Sequence, residues 1–108
     1  MARTLIVARM NRENTAAVRQ AFTESDATEL PHLLGVVERR LYRFHDLYFH
    51  CIDSDEALAA PLAEVRGNPL WTGINERLSP LVTAYDPPTW KSPKDAMAEE
   101  FYRWSASR

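Results

Sequence analysis

Hydrophobic and β-branched residues are concentrated in four short segments of the chain, and their composition and spacing are typical of β-strands. The first segment is followed by the turn-like run MNREN, and the two central segments are separated only by His45 and Asp46. A reversal this short joins antiparallel neighbours, so we predict a β-hairpin there. The predicted strands span residues 3–10, 36–44, 47–53 and 98–104.

Apolar residues recur every three or four positions in three other segments, which indicates amphipathic helices. Asn68 followed by Pro69 is a typical helix start. Pro61 lies inside the preceding helical segment and predicts a break or kink. Pro31 and Gly35 predict a loop before the second strand. The predicted helices span residues 14–25, 55–66 and 69–85.

The order of these elements, β-α-β-β-α-α-β, predicts an α+β fold of the ferredoxin-like β-α-β-β-α-β type. A length of 108 residues suits one domain, so we expect residues 1–108 to fold as a single domain. Helices would cover one face of the sheet. The other face would present Tyr42, Phe44 and Phe49, and an apolar patch of this size predicts a homodimer.

The predicted hairpin also determines which side chains share a face of the sheet. If the chain reverses in two residues, Leu41 lies opposite His50; a three-residue turn would pair His50 with Arg40 instead. In the first register one face mixes apolar, cationic and phenolic groups, as an amphipathic ligand cavity requires, and the other is mostly aromatic and apolar. The mixed face carries Val37, Arg39, Leu41, Arg43, Tyr48, His50 and Ile52, and the other carries Val36, Glu38, Arg40, Tyr42, Phe44, Leu47, Phe49 and Cys51.

Arginine, histidine and tyrosine side chains on a partly buried strand need polar partners, because an unsatisfied polar group inside a protein is costly. Two explanations stay open. In the first, each arginine reaches solvent or pairs with a carboxylate such as Glu38, and His50 is a structural group. In the second, these side chains line a ligand pocket, and their number on one hairpin favours this explanation.

Composition and charge exclude several other classes of protein. The net charge is −2, from 13 Lys and Arg against 15 Asp and Glu, which argues against a nucleic-acid partner. The spacings typical of metal ligands and of nucleotide-binding loops do not occur, so we expect neither a metal nor a cofactor. Cys51 is the only cysteine, and no apolar run is long enough for a signal peptide or a membrane span. A cytoplasmic protein without membrane contact is expected.

Three motifs carry a resemblance to a known family. They are T-E-L-P at 28–31, R-F-H-D-L-Y-x-H at 43–50 and N-P-L-x-x-x-I-N-E-R at 68–77. In this order and spacing they resemble the tetracenomycin-type aromatic polyketide cyclases, small enzymes of type II polyketide biosynthesis. The resemblance implies a fold of the dimeric α+β barrel type with an interior pocket. It also implies a cofactor-free cyclisation and aromatisation of a poly-β-ketone, either free or bound to an acyl carrier.

The resemblance further implies that Asp26, Arg39 and His50 line the pocket as catalytic residues. Arg39 would stabilise an enolate and a developing alkoxide, and His50 would move protons near neutral pH. Asp26 would orient His50, act as a base or only cap the local backbone. Ser25 stands where the family pattern also admits histidine, which weakens any mechanism that needs a proton-transfer group there. The residues expected to bind substrate are Arg43, Tyr48, Leu41 and Trp71.

Two other functions stay open at this point. A cofactor-free monooxygenase that oxidises anthrone-like rings would use the same kind of cavity, but it would consume oxygen. A non-catalytic scaffold would hold a polyketide chain while it closes unaided, and replacing Arg39 and His50 would then change the rate little.

Overall fold

A four-stranded antiparallel sheet forms one layer of the protein. The computed structural model describes residues 1–91 and 93–106. The strands are β1 (Ala2–Met10), β2 (Val36–Phe44), β3 (Leu47–Ser54) and β4 (Val82–Ala84). They lie in the order β2-β3-β1-β4, with β1 antiparallel to both of its neighbours. This is the ferredoxin-like arrangement, so the predicted α+β class is confirmed.

Four α-helices in this described part of the chain accompany the sheet. They are α1 (Thr15–Asp26), α2 (Leu30–Leu34), α3 (Ala59–Val65) and α4 (Pro69–Leu78). Asn68 caps α4 by accepting from the Leu70 N–H, as expected for an Asn-Pro start. Among residues 1–91 and 93–106, no helix combines the length and the apolar character needed to cross a membrane.

Most of the buried apolar residues form two clusters. The first joins α1 to the sheet, and it consists of Ala8, Met10, Val18, Phe22 and Tyr48. The second is built around Leu30, Leu34 and Val65 of α2 and α3, with Leu70, Trp71 and Ile74 of α4 packed against it. Because apolar burial is the main stabilising term in folding, the first cluster fixes α1 over the sheet. The mixed face of the hairpin lies on that side.

The hairpin register agrees with the two-residue turn. Leu41 pairs with His50 and Arg43 with Tyr48, so the alternative pairing of His50 with Arg40 does not occur. His45 occupies the turn with a φ of 56°, a left-handed conformation that such tight reversals require. A bulge between Val36 and Glu38 shifts the register at the start of β2 only.

The arginine residues on the opposite face of the sheet pair with carboxylates, as the first of the two explanations above expects. Arg3 Nε lies 2.6 Å from Asp53 Oδ1, and Arg40 Nη2 lies 3.1 Å from Asp53 Oδ2. Arg40 also pairs with Glu38, the partner that the sequence suggested. Hydrogen bonds from Arg3 and Arg40 lower the pKa of Asp53 to about 2 despite its burial.

The C-terminal third of the chain differs from the prediction. The helix predicted over 69–85 ends at Leu78, and residues 82–84 form the edge strand β4. Pro80 is the physical reason, because proline has no N–H and cannot continue a helix. The strand predicted over 98–104 is wrong: one bridge pairs Ile6 with Met97, and the segment that follows carries no ladder in the described residues.

Two further predictions around proline were wrong. Pro31 is the second residue of the short helix α2, where a loop was expected. Pro61 is the third residue of α3, so it neither breaks nor kinks that helix. The first N–H groups of a helix have no partner within the helix, and proline is therefore tolerated in its first turn.

Gly35 and Gly73 offer a matched test of this backbone. Gly35 ends α2 with a φ of 70°, whereas Gly73 lies inside α4 with nothing within 4 Å of an added Cβ. We expect Gly35→Ala to lower the free energy of unfolding by about 1 kcal/mol, because alanine is strained in the left-handed region. We expect Gly73→Ala to raise it by roughly 0.5–1 kcal/mol. Urea unfolding measures both, and shifts of the same sign would contradict the assigned conformations.

Candidate active site

The mixed face of the hairpin lies against α1, and the three predicted catalytic residues meet there. Asp26 is the last residue of α1, Arg39 lies in β2 and His50 lies in β3. Helix α1 and strand β2 run in opposite directions, because Arg39 bonds to Asp26 at the end of α1 and Arg43 bonds to Thr15 at its start. We call the space between α1 and these two strands the α1–hairpin seam.

Arg39 and Asp26 form a two-point ion pair at one end of the seam. Arg39 Nη2 lies 2.8 Å from Asp26 Oδ1, and Arg39 Nε lies 3.1 Å from Asp26 Oδ2. The Arg39 side chain is 14% exposed and the Asp26 side chain 40% exposed, so the cation is the deeper partner. Three roles were left open for Asp26: orienting His50, acting as a base or capping the backbone. The geometry supports an orienting role, but the side chain that Asp26 orients is Arg39 and not His50.

The third nitrogen of the same guanidinium contacts His50. Arg39 Nη1 lies 2.8 Å from His50 Nε2. Guanidinium groups only donate hydrogen bonds, so Nε2 accepts and the ring is neutral with its proton on Nδ1. Phe22 covers both groups: its ring centroid lies 4.9 Å from Arg39 Cζ and 5.1 Å from the His50 ring centroid. The cation is therefore enclosed by a carboxylate, an imidazole and an aromatic face.

Burial changes the acid–base chemistry of the seam. Burial first, and the charge of Arg39 second, lower the pKa of His50 to about 3. The expectation that His50 titrates near neutral pH was therefore wrong for the unliganded protein. Burial also raises the pKa of Tyr48 well above its ordinary value, although Arg39 opposes this shift. At neutral pH the seam therefore holds a neutral imidazole and an un-ionised phenol.

A cavity of about 320 Å³ continues the seam towards the start of α1. Three of the four predicted substrate-binding residues, Leu41, Arg43 and Tyr48, line it. Trp71 is not among the lining residues and packs in the second core cluster, so its binding role stays a prediction. The cavity walls are Met10, Thr15, Val18, Arg19, Leu41, Tyr42, Arg43 and Tyr48.

Asp26, Arg39 and His50, which we call the triad, lie beside this cavity. Tyr48 borders both the triad and the cavity. The ring centroids of Tyr48 and His50 lie 6.2 Å apart. Leu41 pairs with His50 across the hairpin and also lines the cavity. Asp26, Arg39 and His50 do not themselves line the cavity, so a ligand there would contact Tyr48 and Leu41, the neighbours of His50.

The sequence identified Asp26, but it did not predict how much more of α1 would contribute to this site. Thr15, Arg19, Phe22 and Asp26 recur at three- or four-residue spacing along one face of the helix, and each lines the cavity, or contacts or belongs to the Asp26–Arg39–His50 group. Residues 14–25 were predicted only as an amphipathic helix, and apart from Asp26 no binding role was assigned to this face. Its polar members, aligned with Phe22, were the signal that could have identified a site wall.

A larger depression does not compete with the seam as a catalytic site. It has a volume of about 730 Å³ and lies beside the β2–β3 turn. It is an open surface basin, and its Arg9 is already paired with Asp46 at 2.8 Å and with the Tyr85 carbonyl at 3.1 Å. Within residues 1–91 and 93–106, no group of three or more His, Cys, Asp or Glu side chains is placed to hold a metal ion.

Comparison with known proteins shows the family of this chain. Residues 2–105 match the model of the polyketide synthesis cyclase family. The chain belongs to this family. Among curated relatives, tetracenomycin F2 cyclase of Streptomyces glaucescens is 43% identical over 96% of this chain and 94% of its own length. Polyketide synthase CurG of Streptomyces cyaneus is 41% identical over 96% of this chain and 97% of its own length.

Solved structures support the same family fold. The structure of tetracenomycin F2 cyclase, described as a type II polyketide cyclase, superposes with a TM-score of 0.90 at 42% identity and covers 99% of this chain and 100% of that one. A protein of Agrobacterium tumefaciens shares the fold alone, with a TM-score of 0.61 at 13% identity over 78% of this chain and 86% of its own.

The buried imidazole predicts how stability depends on pH. An imidazole in the unfolded chain has a pKa of about 6.5, whereas His50 has a pKa of about 3 in the fold. Between these values the unfolded chain binds a proton that the folded chain does not, so stability falls as the pH falls. From pH 7.5 to 4.5 we expect His50 to account for a loss of roughly 2–3 kcal/mol in the free energy of unfolding.

Urea unfolding at the two pH values measures this loss. In His50→Gln this loss of unfolding free energy between pH 7.5 and 4.5 should be absent. Glutamine can still accept a hydrogen bond from Arg39, but it does not titrate. His45→Asn is the control, since it removes an exposed imidazole from a turn that asparagine tolerates and leaves His50 in place. An equal pH dependence in the wild type and His50→Gln would contradict the burial of a neutral His50.

Proposed function

We propose that this protein is an aromatic polyketide cyclase that closes a ring of a poly-β-ketone, or of a partly cyclised intermediate, by intramolecular aldol condensation and dehydration. The observation that carries the proposal is the hydrogen-bonded chain Asp26–Arg39–His50 beside an amphipathic cavity. It supports the proposal because a fixed cation and a neutral imidazole lie next to Tyr48, which lines the cavity. Family membership supports the same reaction class.

Enolate formation would begin when a substrate carbonyl binds to Arg39. The carbonyl oxygen would accept the Nη1–H that His50 now accepts, and this exchange would release the lone pair on His50 Nε2. That nitrogen would take a proton from the methylene carbon between two carbonyls. The product is an enolate beside Arg39 and an imidazolium on His50. Because the enolate compensates the charge of Arg39, the main charge opposing protonation of His50 is neutralised at this step.

Ring closure would then follow within one molecule. The enolate carbon attacks a ketone carbon further along the chain, a C–C bond forms and the ketone oxygen becomes an alkoxide. The alkoxide takes the proton back from the His50 imidazolium, which gives a hydroxyl group and a neutral imidazole. Loss of a second ring proton together with this hydroxyl releases one water and gives the aromatic ring. No electron acceptor is needed in any of these steps, which distinguishes the reaction from oxidation of an anthrone.

Positioning would contribute much of the acceleration. Both reacting carbons belong to one molecule, so holding them in a single folded register removes most of the entropic part of the barrier. Met10, Val18 and Leu41 provide apolar walls for the folded chain. Tyr48 keeps its proton at neutral pH and would donate a hydrogen bond to a substrate oxygen.

Kinetics of single variants test these roles. With tetracenomycin F2 as the first substrate to try, we expect Arg39→Ala to lower kcat/KM by roughly 10²–10³-fold, because it removes the charge facing the oxyanion. Asp26→Ala should lower it less, since Asp26 only orients that charge. His50→Gln should lower kcat/KM by at least about 10²-fold through loss of the base. Arg66→Ala, at an exposed position after α3, is the matched control.

Other outcomes would identify another mechanism. A greater loss in a folded Asp26→Ala than in Arg39→Ala would make Asp26 the base. Near wild-type rates in both Arg39→Ala and His50→Gln would favour the non-catalytic scaffold. Consumption of oxygen in step with product, followed with an oxygen electrode, would favour the monooxygenase.

The proposal includes a homodimer that covers the open face of the sheet. Phe44 is 62% exposed and Tyr42 is 53% exposed on that face, and Phe101 and Trp104 of the C-terminal segment are 96% and 73% exposed. Large exposed aromatic side chains are characteristic of an interface. A second copy would supply matching aromatic groups, because both faces of a symmetric dimer are the same surface. The cytoplasmic location expected from the sequence stays part of the same prediction.

The predicted dimer can be tested by introducing one charged residue into the proposed interface. The wild type should sediment as a dimer at micromolar concentration, and Phe44→Glu should shift it towards the 12.4 kDa monomer because a buried carboxylate would be unpaired. Leu33→Glu is the control, since Leu33 is also an exposed apolar residue but belongs to α2 in the helical layer. A monomeric wild type, or equal dissociation in both variants, would contradict this interface.

A further inference from the structure

Most arginines of the described chain are neutralised by a carboxylate. The pairs are Arg3–Asp53, Arg9–Asp46, Arg39–Asp26, Arg40–Glu38, Arg77–Glu24 and Arg103–Glu100. Within residues 1–91 and 93–106, Arg12, Arg19, Arg43 and Arg66 form no ion pair with a protein carboxylate. Of these four, only Arg19 and Arg43 line the cavity of the α1–hairpin seam. The cavity therefore has two cationic groups whose charge the protein leaves uncompensated.

These two arginines converge on the first turns of α1. Arg43 Nη1 donates to Thr15 Oγ1 at 2.9 Å, which holds the guanidinium of β2 across the seam. Arg19 follows Thr15 by four residues, so it lies on the same face of α1 one turn further along. Both residues are exposed to solvent, so water screens their charges, and an anion bound across both guanidinium groups would supply the missing countercharge.

We propose that Arg19 and Arg43 bind a carboxylate carried by the polyketide substrate. This inference rests on the proposed function. It goes further by naming the functional group that the substrate presents at the end of the seam near the start of α1. A planar guanidinium matches a carboxylate through two parallel hydrogen bonds, and in the described chain the hydrogen bond at Arg19 is made by its backbone carbonyl, which leaves the guanidinium available. The cavity walls at Met10, Val18 and Leu41 are apolar. They favour an anion attached to a hydrophobic body over a free inorganic ion.

The distance between the two arginine positions on β2 gives this site a role in regiochemistry. Arg39 and Arg43 are four residues apart in one strand, which corresponds to about 13 Å along β2. A carboxylate anchored at Arg43 would therefore hold the reacting carbonyl a fixed distance away, at Arg39. Because the chain is anchored at one end, only one stretch of it can reach the base. Arg19 and Arg43 act here as specificity residues, and they do not touch the reacting atoms.

Binding of a matched pair of probes tests the proposal without requiring turnover. The probes are 3-hydroxy-2-naphthoic acid and its methyl ester, which differ in the carboxylate charge and are titrated calorimetrically into the purified protein. We expect the acid to bind the wild type about tenfold more tightly than the ester. Arg43→Gln and Arg19→Gln should each weaken binding of the acid by about tenfold and leave the ester unchanged. Arg66→Gln, an unpaired arginine outside the cavity, should change neither.

Each other result would overturn the proposal. Equal affinity of acid and ester in the wild type would show that no anion is recognised. If Arg43→Gln lowers the affinity for the acid and for the ester equally, the effect of the substitution is only structural. 4′-Phosphopantetheine is titrated in parallel, and arginine-dependent binding of this phosphate without binding of the naphthoic acid would assign the arginines to a carrier arm instead. If the protein binds the acid through Arg43 but Arg39→Ala and His50→Gln keep near wild-type rates of cyclisation, the proposed catalytic roles fail and the carboxylate site stands.

Discussion

The geometry of the α1–hairpin seam depends on one cation, Arg39, held under an aromatic ring. Asp26 fixes two nitrogens of its guanidinium, His50 accepts from the third, and Phe22 covers the group. A buried cation without partners would be strongly destabilising, so β2, β3 and α1 have to keep this spacing. The same packing keeps His50 neutral, because burial first and the charge of Arg39 second oppose a proton on the imidazole. Stability and the protonation state of His50 thus depend on the same closely packed group of side chains.

The sequence predicted the parts of the fold that local chemistry determines. Turn length fixes the register of a hairpin, so the sequence reduced the partner of His50 to Leu41 or Arg40, and the structure has the Leu41 pairing of the two-residue turn. Proline was misjudged because its effect depends on where a helix begins, and Pro31 and Pro61 both lie in first turns. β4 was missed because the apolar spacing of α4 continues past Pro80, where only the missing N–H marks the end of the helix.

The site was predictable as a list of residues but not as a set of interactions. The family motifs and the shared strand face placed Arg39 and His50 together. The partner of Arg39 was not foreseen, because Asp26 lies at the far end of α1 and its approach depends on how that helix packs. The low pKa of His50 depends on burial beneath Phe22, which is a tertiary effect. Trp71 was grouped with the site although its helix packs against the second cluster.

The resting seam also shows how binding and chemistry can be coupled. Arg39 and His50 satisfy each other in the unliganded protein, so the base is occupied until another acceptor takes the Nη1–H. A water molecule could serve as that acceptor, but it would bring no charge that offsets a protonated His50. A substrate carbonyl that becomes an enolate does bring such a charge, and it does so only as the proton leaves carbon. In the proposed mechanism the imidazole would therefore become a stronger base as the reaction proceeds, and a difference of this kind between ground state and transition state is what accelerates a reaction.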